Sequence, residues 1–245
     1  MIPIRDDAPR FCTPYVNYFL VAINVVVFIF EKLHPRQLDA LMFQFGFVPV
    51  KVTALLSGIQ RVNAHGFVYH VSPDTALLPV LTSMFLHASW LHLIFNMWAL
   101  WIFGDNVEDY LGHFRYLVFY FLTGAGAAAL HYAINSRSAL PTVGASGAIA
   151  GVMGAYLILY PSAKVLTLVP LLFFITFINL PAWLVLGFWF LAQFLSGTAT
   201  AIAPSASTSG GVAVWAHVGG FLCGIGLIKL FPKRPRRLRV GAWYG

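Results

Sequence analysis

The sequence predicts an all-α membrane protein built from six transmembrane helices. Of its 245 residues, 59% are hydrophobic and 9% are charged, whereas a soluble domain carries roughly 25% charged residues. A helix needs about 20 apolar residues to cross a hydrocarbon core ~30 Å thick. Apolar stretches predict segments one to six at residues 15–30, 81–103, 114–133, 146–160, 166–195 and 214–231.

The first segments are separated by one long connection and one acidic loop. No small-residue cleavage site follows segment one, so we expect a retained helix and not a signal peptide. The connection 31–80 is too long for a bare connector, and part of it is expected to lie in the membrane interface. Residues 104–112 are predicted to form a loop carrying Asp105, Glu108 and Asp109.

The later segments are shaped by small residues and prolines. A Gly/Ala stretch at 124–129 in segment three permits close helix packing. Segment four stops before Pro161, and segment five is predicted as a helix interrupted by Pro170 and Pro181. The Ser/Ala/Thr/Gly-rich stretch 196–211 predicts a flexible linker before segment six.

Charge distribution predicts the orientation. Five of the fifteen basic residues lie within 233–239, directly after segment six. Such a run marks the cytoplasmic side and can contact anionic lipid headgroups, so no nucleic-acid partner is expected. An even number of crossings then gives a short cytoplasmic N-terminus at 1–14, a membrane domain at 15–231 and a basic cytoplasmic tail at 232–245.

Ser146 is the first candidate functional residue. Segment four is 15 residues long, or about 22 Å, which is too short to cross the bilayer. Its outer end, where Ser146 stands between Gly144 and Gly147, should therefore lie below the membrane surface. A serine that opens a helix has an unpaired N–H suited to an oxyanion. The alternative is that Ser146 only caps the helix.

His217 is the candidate base. Ala216, Gly220 and Gly224 form a face of small residues on segment six, and segment four has a matching face that begins at Gly147. Two such faces allow close contact, which would bring His217 to Ser146. Histidine is the usual base for a serine nucleophile. The alternative is a histidine that only hydrogen-bonds a neighbouring helix.

His92 and Asn96 supply a third element. They are four residues apart, so they project from one helix face, and we place them some three turns into segment two. A histidine N–H and an asparagine amide are suitable oxyanion donors. The alternative for Asn96 is a hydrogen bond between helices.

The residue inventory excludes several mechanisms. No Asp or Glu lies within an apolar segment away from its ends, so a Ser–His–Asp triad and an aspartyl pair are not expected. The HExxH motif of zinc proteases is absent. A serine–histidine dyad is the remaining option, with no metal and no cofactor expected.

Together these motifs resemble the rhomboid family of intramembrane serine proteases. The resemblance rests on GASG at 144–147, the spacing of His92 and Asn96, and the Ala216-His217-x-x-Gly220-x-x-x-Gly224 pattern. The stretch 106–109 (NVED) is typical of bacterial members. The resemblance implies a six-helix rhomboid-like bundle in a bacterial plasma membrane.

The resemblance also implies roles for individual residues. Ser146 would be the nucleophile and His217 the general base, with His92 and Asn96 stabilising the oxyanion. Glycines would support close packing around the dyad, namely Gly144, Gly147, Gly220 and Gly224. The connection 31–80 resembles the family's membrane-embedded first loop, and segment five its lateral gate. The substrates would be transmembrane segments of other proteins.

One departure from the family pattern affects the base. Some members carry an aromatic residue four positions after the serine, where its ring stacks on the histidine. Here that position is Ala150, so another group must orient His217.

Two other functions stay open. A catalytically inactive rhomboid-like protein could bind transmembrane clients, although the presence of both Ser146 and His217 argues against it. A small transporter or channel could be lined by His87, His92 and His217.

Overall fold

The chain folds into a mostly helical bundle. It is described here by a computed structural model of residues 1–64, 67–171, 174–202 and 214–235. The helices are α1 (Tyr15–Leu33), α2 (Leu38–Phe45), α3 (Pro49–Leu56), α4 (Pro73–Leu77), α5 (Pro79–Thr82), α6 (Trp90–Leu111), α7 (His113–Asn135), α8 (Ser146–Leu159), α9 (Ala182–Ile202) and α10 (Val214–Leu227). Short 3-10 turns lie at Pro35–Gln37, Ser83–Phe85 and Ile228–Leu230.

Helix α8 lies at the centre of the bundle, against α6, α7 and α10. Every residue from Gly147 to Tyr156 is buried. Its glycines and alanines let the neighbouring backbones approach closely. The helices α1, α7, α8 and α10 agree with the predicted segments one, three, four and six to within a few residues at each end.

The structure corrects the predicted limits of segment two. Helix α6 begins at Trp90, where the Ser89 hydroxyl accepts the His92 N–H at 3.2 Å, and the preceding stretch Pro73–Phe85 is bent 77° away. The predicted loop 104–112 was also wrong, because α6 continues to Leu111 and ends at Gly112, whose φ is +80°. Glu108 is buried in this part of α6, where its carboxylate accepts the Asn17 N–H at 2.7 Å and so ties α6 to α1.

The all-α prediction is wrong in part, because the described residues include five strands. β1 (Ile2–Asp6), β4 (Lys164–Leu171) and β5 (Phe174–Pro181) form an antiparallel sheet in the order β1-β4-β5. β2 (Arg61–Ala64) and β3 (Phe67–His70) form a separate hairpin.

The first half of segment five is therefore strand and not helix. Pro170 and Pro181 disfavour a helix, while the β-branched and aromatic residues between them favour strands. β1 pairs with β4 only as far as Leu168, so Pro170 lies beyond the part of the central strand that β1 contacts. Helix α9 starts directly after Pro181 and extends to Ile202, seven residues into the predicted linker. The rest of that linker, and the tail from residue 236, lie outside the described residues.

The lengths and compositions of the helices identify an integral membrane protein. Within the described parts of the chain, three helices can each cross a membrane on these grounds: α1, α7 and residues Ala182–Ala199 of α9. Helix α6 qualifies when it is taken together with the bent stretch Pro73–Phe85, which gives up to four spans. α8 and α10 are shorter apolar helices.

The long connection between α1 and α6 is folded, and it supports the loop that precedes α8. Phe47 and Thr142 exchange backbone hydrogen bonds of 2.9 and 2.8 Å, and the Val50 N–H donates to the Ser138 carbonyl at 2.9 Å. Phe47 is 4% exposed. The connection therefore fixes the approach of the chain to Ser146.

Candidate active site

Ser146 opens α8 at the end of a tightly held loop. Its side chain is half-buried, and its N–H belongs to the first helical turn, where backbone donors have no partner within the helix. The Gly144 N–H donates to the Ser83 carbonyl at 2.8 Å. Gly144 has φ +123°, and a Cβ there would lie 2.6 Å from the His92 ring. Only glycine fits both requirements.

Ser146 and His217 meet between α8 and α10. The Ser146 hydroxyl oxygen lies 2.7 Å from His217 Nε2. This contact depends on backbones that touch, because a Cβ at Gly220 would collide with the Gly147 carbonyl and one at Gly224 with the Gly151 carbonyl. The two faces of small residues therefore bring the helices together as the spacing indicates.

Gly147 adds the third helix to this packing. A Cβ at this position would lie 2.7 Å from the Ala127 Cβ on α7. The glycine thus lets α7 pack directly behind the residue pair.

His92 and Asn96 lie on α6 beside Gly144. His92 stands in the first turn of α6 and not three turns into a helix, because the helix starts nine residues later than predicted. A Cβ at Gly144 would lie 3.7 Å from the Asn96 amide nitrogen. That nitrogen is buried and has no hydrogen-bond partner among the described residues. An unpaired buried donor costs free energy, so the Asn96 amide, which lies beside Gly144 in the loop that leads to Ser146, is available to a ligand.

His87 lies behind this cluster. It is fully buried, and its ring meets the His92 ring edge-on with centroids 5.1 Å apart. Its backbone N–H faces the Glu31 carboxylate at 3.3 Å. His87 therefore packs against His92, a candidate oxyanion donor. The contact to Ser146 is made by His217.

A small recess with a mostly apolar lining opens beside Ser146. Ser83, His131 and Thr142 contribute polar groups to this lining, and the Thr142 hydroxyl lies 3.1 Å from His131 Nε2. These groups place hydrogen-bonding capacity next to Ser146 inside an apolar bundle, where a hydrolytic reaction would need water.

Gln193 is the site residue that the sequence analysis missed. Its amide oxygen lies 2.9 Å from His217 Nδ1, on the opposite side of the ring from Ser146. Trp189, one turn earlier on α9, places its ring 5.9 Å from the imidazole at 38°. A signal was present, because Gln193 is the one amide within α9, and polar residues in apolar segments are costly and usually functional.

The sequence that carries this site matches a known family. The Rhomboid domain model matches residues 74–234, which cover well over half of the chain. The chain belongs to the rhomboid family.

Curated relatives of this rhomboid include organelle proteins of eukaryotes. It is 29% identical over 177 residues to the chloroplastic Rhomboid-like protein 11 of Arabidopsis thaliana, covering 69% of this chain and 57% of the relative. It is 32% identical over 180 residues to the mitochondrial Rhomboid protein 1 of Saccharomyces cerevisiae, covering 69% and 48%. The chain thus spans about half the length of these relatives. They give no support to the expected bacterial plasma membrane.

Proposed function

We propose that this rhomboid is an intramembrane serine endopeptidase that cleaves transmembrane segments of other membrane proteins. The observation that carries the proposal is the 2.7 Å contact between the Ser146 hydroxyl and His217 Nε2. A serine is a weak nucleophile until an adjacent base takes its proton, and an imidazole at this distance can do so.

Acyl transfer would follow in two steps. His217 takes the Ser146 proton as the serine oxygen attacks the peptide carbonyl, and then returns it to the leaving amine. Water attacks the resulting ester, with His217 again as base. The recess lined by Ser83, His131 and Thr142 is the proposed source of that water.

Three donors would hold the oxyanion. The Ser146 N–H stands at the N-terminus of α8, where the backbone favours negative charge. The unpaired Asn96 amide and the His92 ring flank Gly144 on the same side. Donors that find a partner only in the transition state lower the barrier without tightening substrate binding.

The length of α8 determines where the proposed site would lie in the membrane. Helix α8 has 14 residues, or about 21 Å, so Ser146 would lie below the outer surface if α8 reaches the inner one. We propose six crossings with both termini cytoplasmic, and entry of the substrate helix from the bilayer between α6 and α9. A bacterial plasma membrane stays a proposal that rests on resemblance alone.

The test is cleavage of a model transmembrane substrate in liposomes. Wild type and Ser162→Ala, which alters an exposed serine just past α8, should cleave it. Ser146→Ala should abolish cleavage, and His217→Ala should lower kcat by at least about 10³-fold, as for other coupled nucleophile–base pairs.

Two outcomes would contradict the proposal. Cleavage by Ser146→Ala at the wild-type rate would show that another group carries the reaction. A folded wild type that binds several such substrates and cleaves none would instead favour an inactive, client-binding rhomboid-like protein.

A further inference from the structure

The candidate base has two ring nitrogens, and both are engaged. Nε2 lies 2.7 Å from the Ser146 hydroxyl, and Nδ1 lies 2.9 Å from the Gln193 amide oxygen. A neutral imidazole carries one N–H, so its two nitrogens differ in role. For Nε2 to accept the serine proton, the hydrogen must stand on Nδ1.

Gln193 supplies the group that selects this state. An amide oxygen only accepts hydrogen bonds, so its position opposite Nδ1 favours the Nδ1–H form of the ring. That form leaves the Nε2 lone pair directed at Ser146. A hydrogen bond to one ring nitrogen is the usual way in which a protein sets which nitrogen is protonated.

Among the described residues, the side-chain hydrogen-bond partners of the His217 ring are Ser146 and Gln193, and helices α8, α9 and α10 contain no Asp or Glu. Ala150, where an aromatic ring could stack on the histidine, is buried and too small to reach it. The histidine therefore needs an orienting group from another helix.

Helix α9 presents that group on a rigid face. Trp189 is four residues before Gln193, so both project toward α10, and the Trp189 ring packs along the imidazole. Phe190 stacks on Phe221 of α10, with centroids 4.8 Å apart and planes 23° apart. These contacts keep α9 docked at the level of the site.

We propose that Gln193 is the positioning residue for His217, holding the imidazole as the Nδ1–H form and directing Nε2 at Ser146. The inference rests on the proposed serine protease function. It makes the site a Ser–His–Gln arrangement assembled from α8, α10 and α9, in which a neutral amide occupies the place that a carboxylate holds in a soluble triad.

The first test uses cleavage kinetics of Gln193→Met, which keeps the side-chain length without an amide. We expect kcat to fall by about tenfold, the loss of roughly one hydrogen bond, with KM unchanged. The matched control is Leu191→Met, which places the same residue at a neighbouring position that is 51% exposed. It should behave as wild type.

Gln193→Glu supplies a readout that a merely structural residue would not move. A carboxylate beside Nδ1 stabilises the protonated ring, so the acidic limb of the pH profile of kcat should shift to higher pH by about one unit. Wild-type kcat in Gln193→Met, or an unshifted acidic limb in Gln193→Glu, would overturn the positioning role. Neither of these outcomes would count against Ser146 and His217 as the proposed dyad.

The second test needs no activity. In ¹⁵N-histidine-labelled protein, the His217 signals, assigned by their loss in His217→Ala, should show a protonated Nδ1 in wild type. Gln193→Met should populate the Nε2–H form. A wild-type ring protonated on Nε2 would refute the inference even in an enzyme that cleaves substrate, whereas absent cleavage with the expected Nδ1–H form would count against the proposed function alone.

Discussion

Asn96 is the residue whose environment most directly suggests a role in the reaction, as a donor to the oxyanion. Its amide nitrogen is buried without a described partner, next to Gly144. Such a donor destabilises a folded protein by about 1–3 kcal/mol. The cost is reasonable if the reaction uses the amide. Replacing Asn96 should therefore lower activity without lowering stability.

We therefore predict that Asn96→Leu lowers kcat by about 10²-fold or more, with KM little changed and no loss of thermal stability. The comparison is Asn106→Leu on the same helix. The Asn106 amide nitrogen donates to the carbonyls of Ala8 and Pro9 at 3.2 and 3.3 Å, so this change should lower the melting temperature and spare kcat. Equal effects of the two changes on kcat would refute the oxyanion role.

Sequence spacing predicted most of the site at the scale of residues. The positions of Ser146 and His217 next to matching small residues were enough to predict that they meet. His92 and Asn96 were assigned to one helix face correctly but to the wrong helical turn, because the start of α6 depends on the Ser89 cap. Gln193 was missed because the rotation of α9 is set by packing of Trp189 and Phe190, which the sequence pattern of α9 does not reveal.

At the scale of elements, the contact between α8 and α10 determines whether the site forms. The glycines of the two helices face each other so closely that a methyl group at Gly220 would meet a backbone carbonyl. Backbone cannot move aside as a flexible side chain can. Overpacking of this kind typically costs about 1–3 kcal/mol.

Gly220→Ala should accordingly lower the melting temperature and the cleavage rate together. Gly226 is on the same helix, and a Cβ there would meet nothing within 4 Å. Gly226→Ala should leave both quantities unchanged or raise the melting temperature slightly, since alanine favours helix. Circular dichroism melts of both variants in detergent would measure this, and equal destabilisation would contradict the account of the interface.

The hairpin β4-β5 is an element that the sequence pattern did not predict. Residues 166–181 are as apolar as a membrane helix, so composition alone favoured a continuous span. The pairing with β1 is a contact between residues more than 150 positions apart, such as Ile2 with Leu168. A long-range pairing of this kind overrides a local helix assignment.

At the scale of the whole molecule, the N-terminal residues tie several helices together. Arg10 pairs with Asp105 of α6 at 3.0 Å, and the Tyr156 hydroxyl of α8 donates to Asp6. Burial raises the pKa of Asp6 to about 6. The segment before residue 15, expected to be only a short terminus, thus braces the end of the bundle away from Ser146.

In the proposed active site, α8, α10 and α9 assemble a histidine-activated serine inside a membrane bundle. The most direct test of this proposal is reaction of the purified, folded protein with a fluorophosphonate probe, followed by mass spectrometry of the modified peptide. We expect one adduct on Ser146 in wild type and in Ser162→Ala, and none in Ser146→Ala or His217→Ala. An adduct that persists in Ser146→Ala, or a folded wild type that forms none, would contradict the proposal.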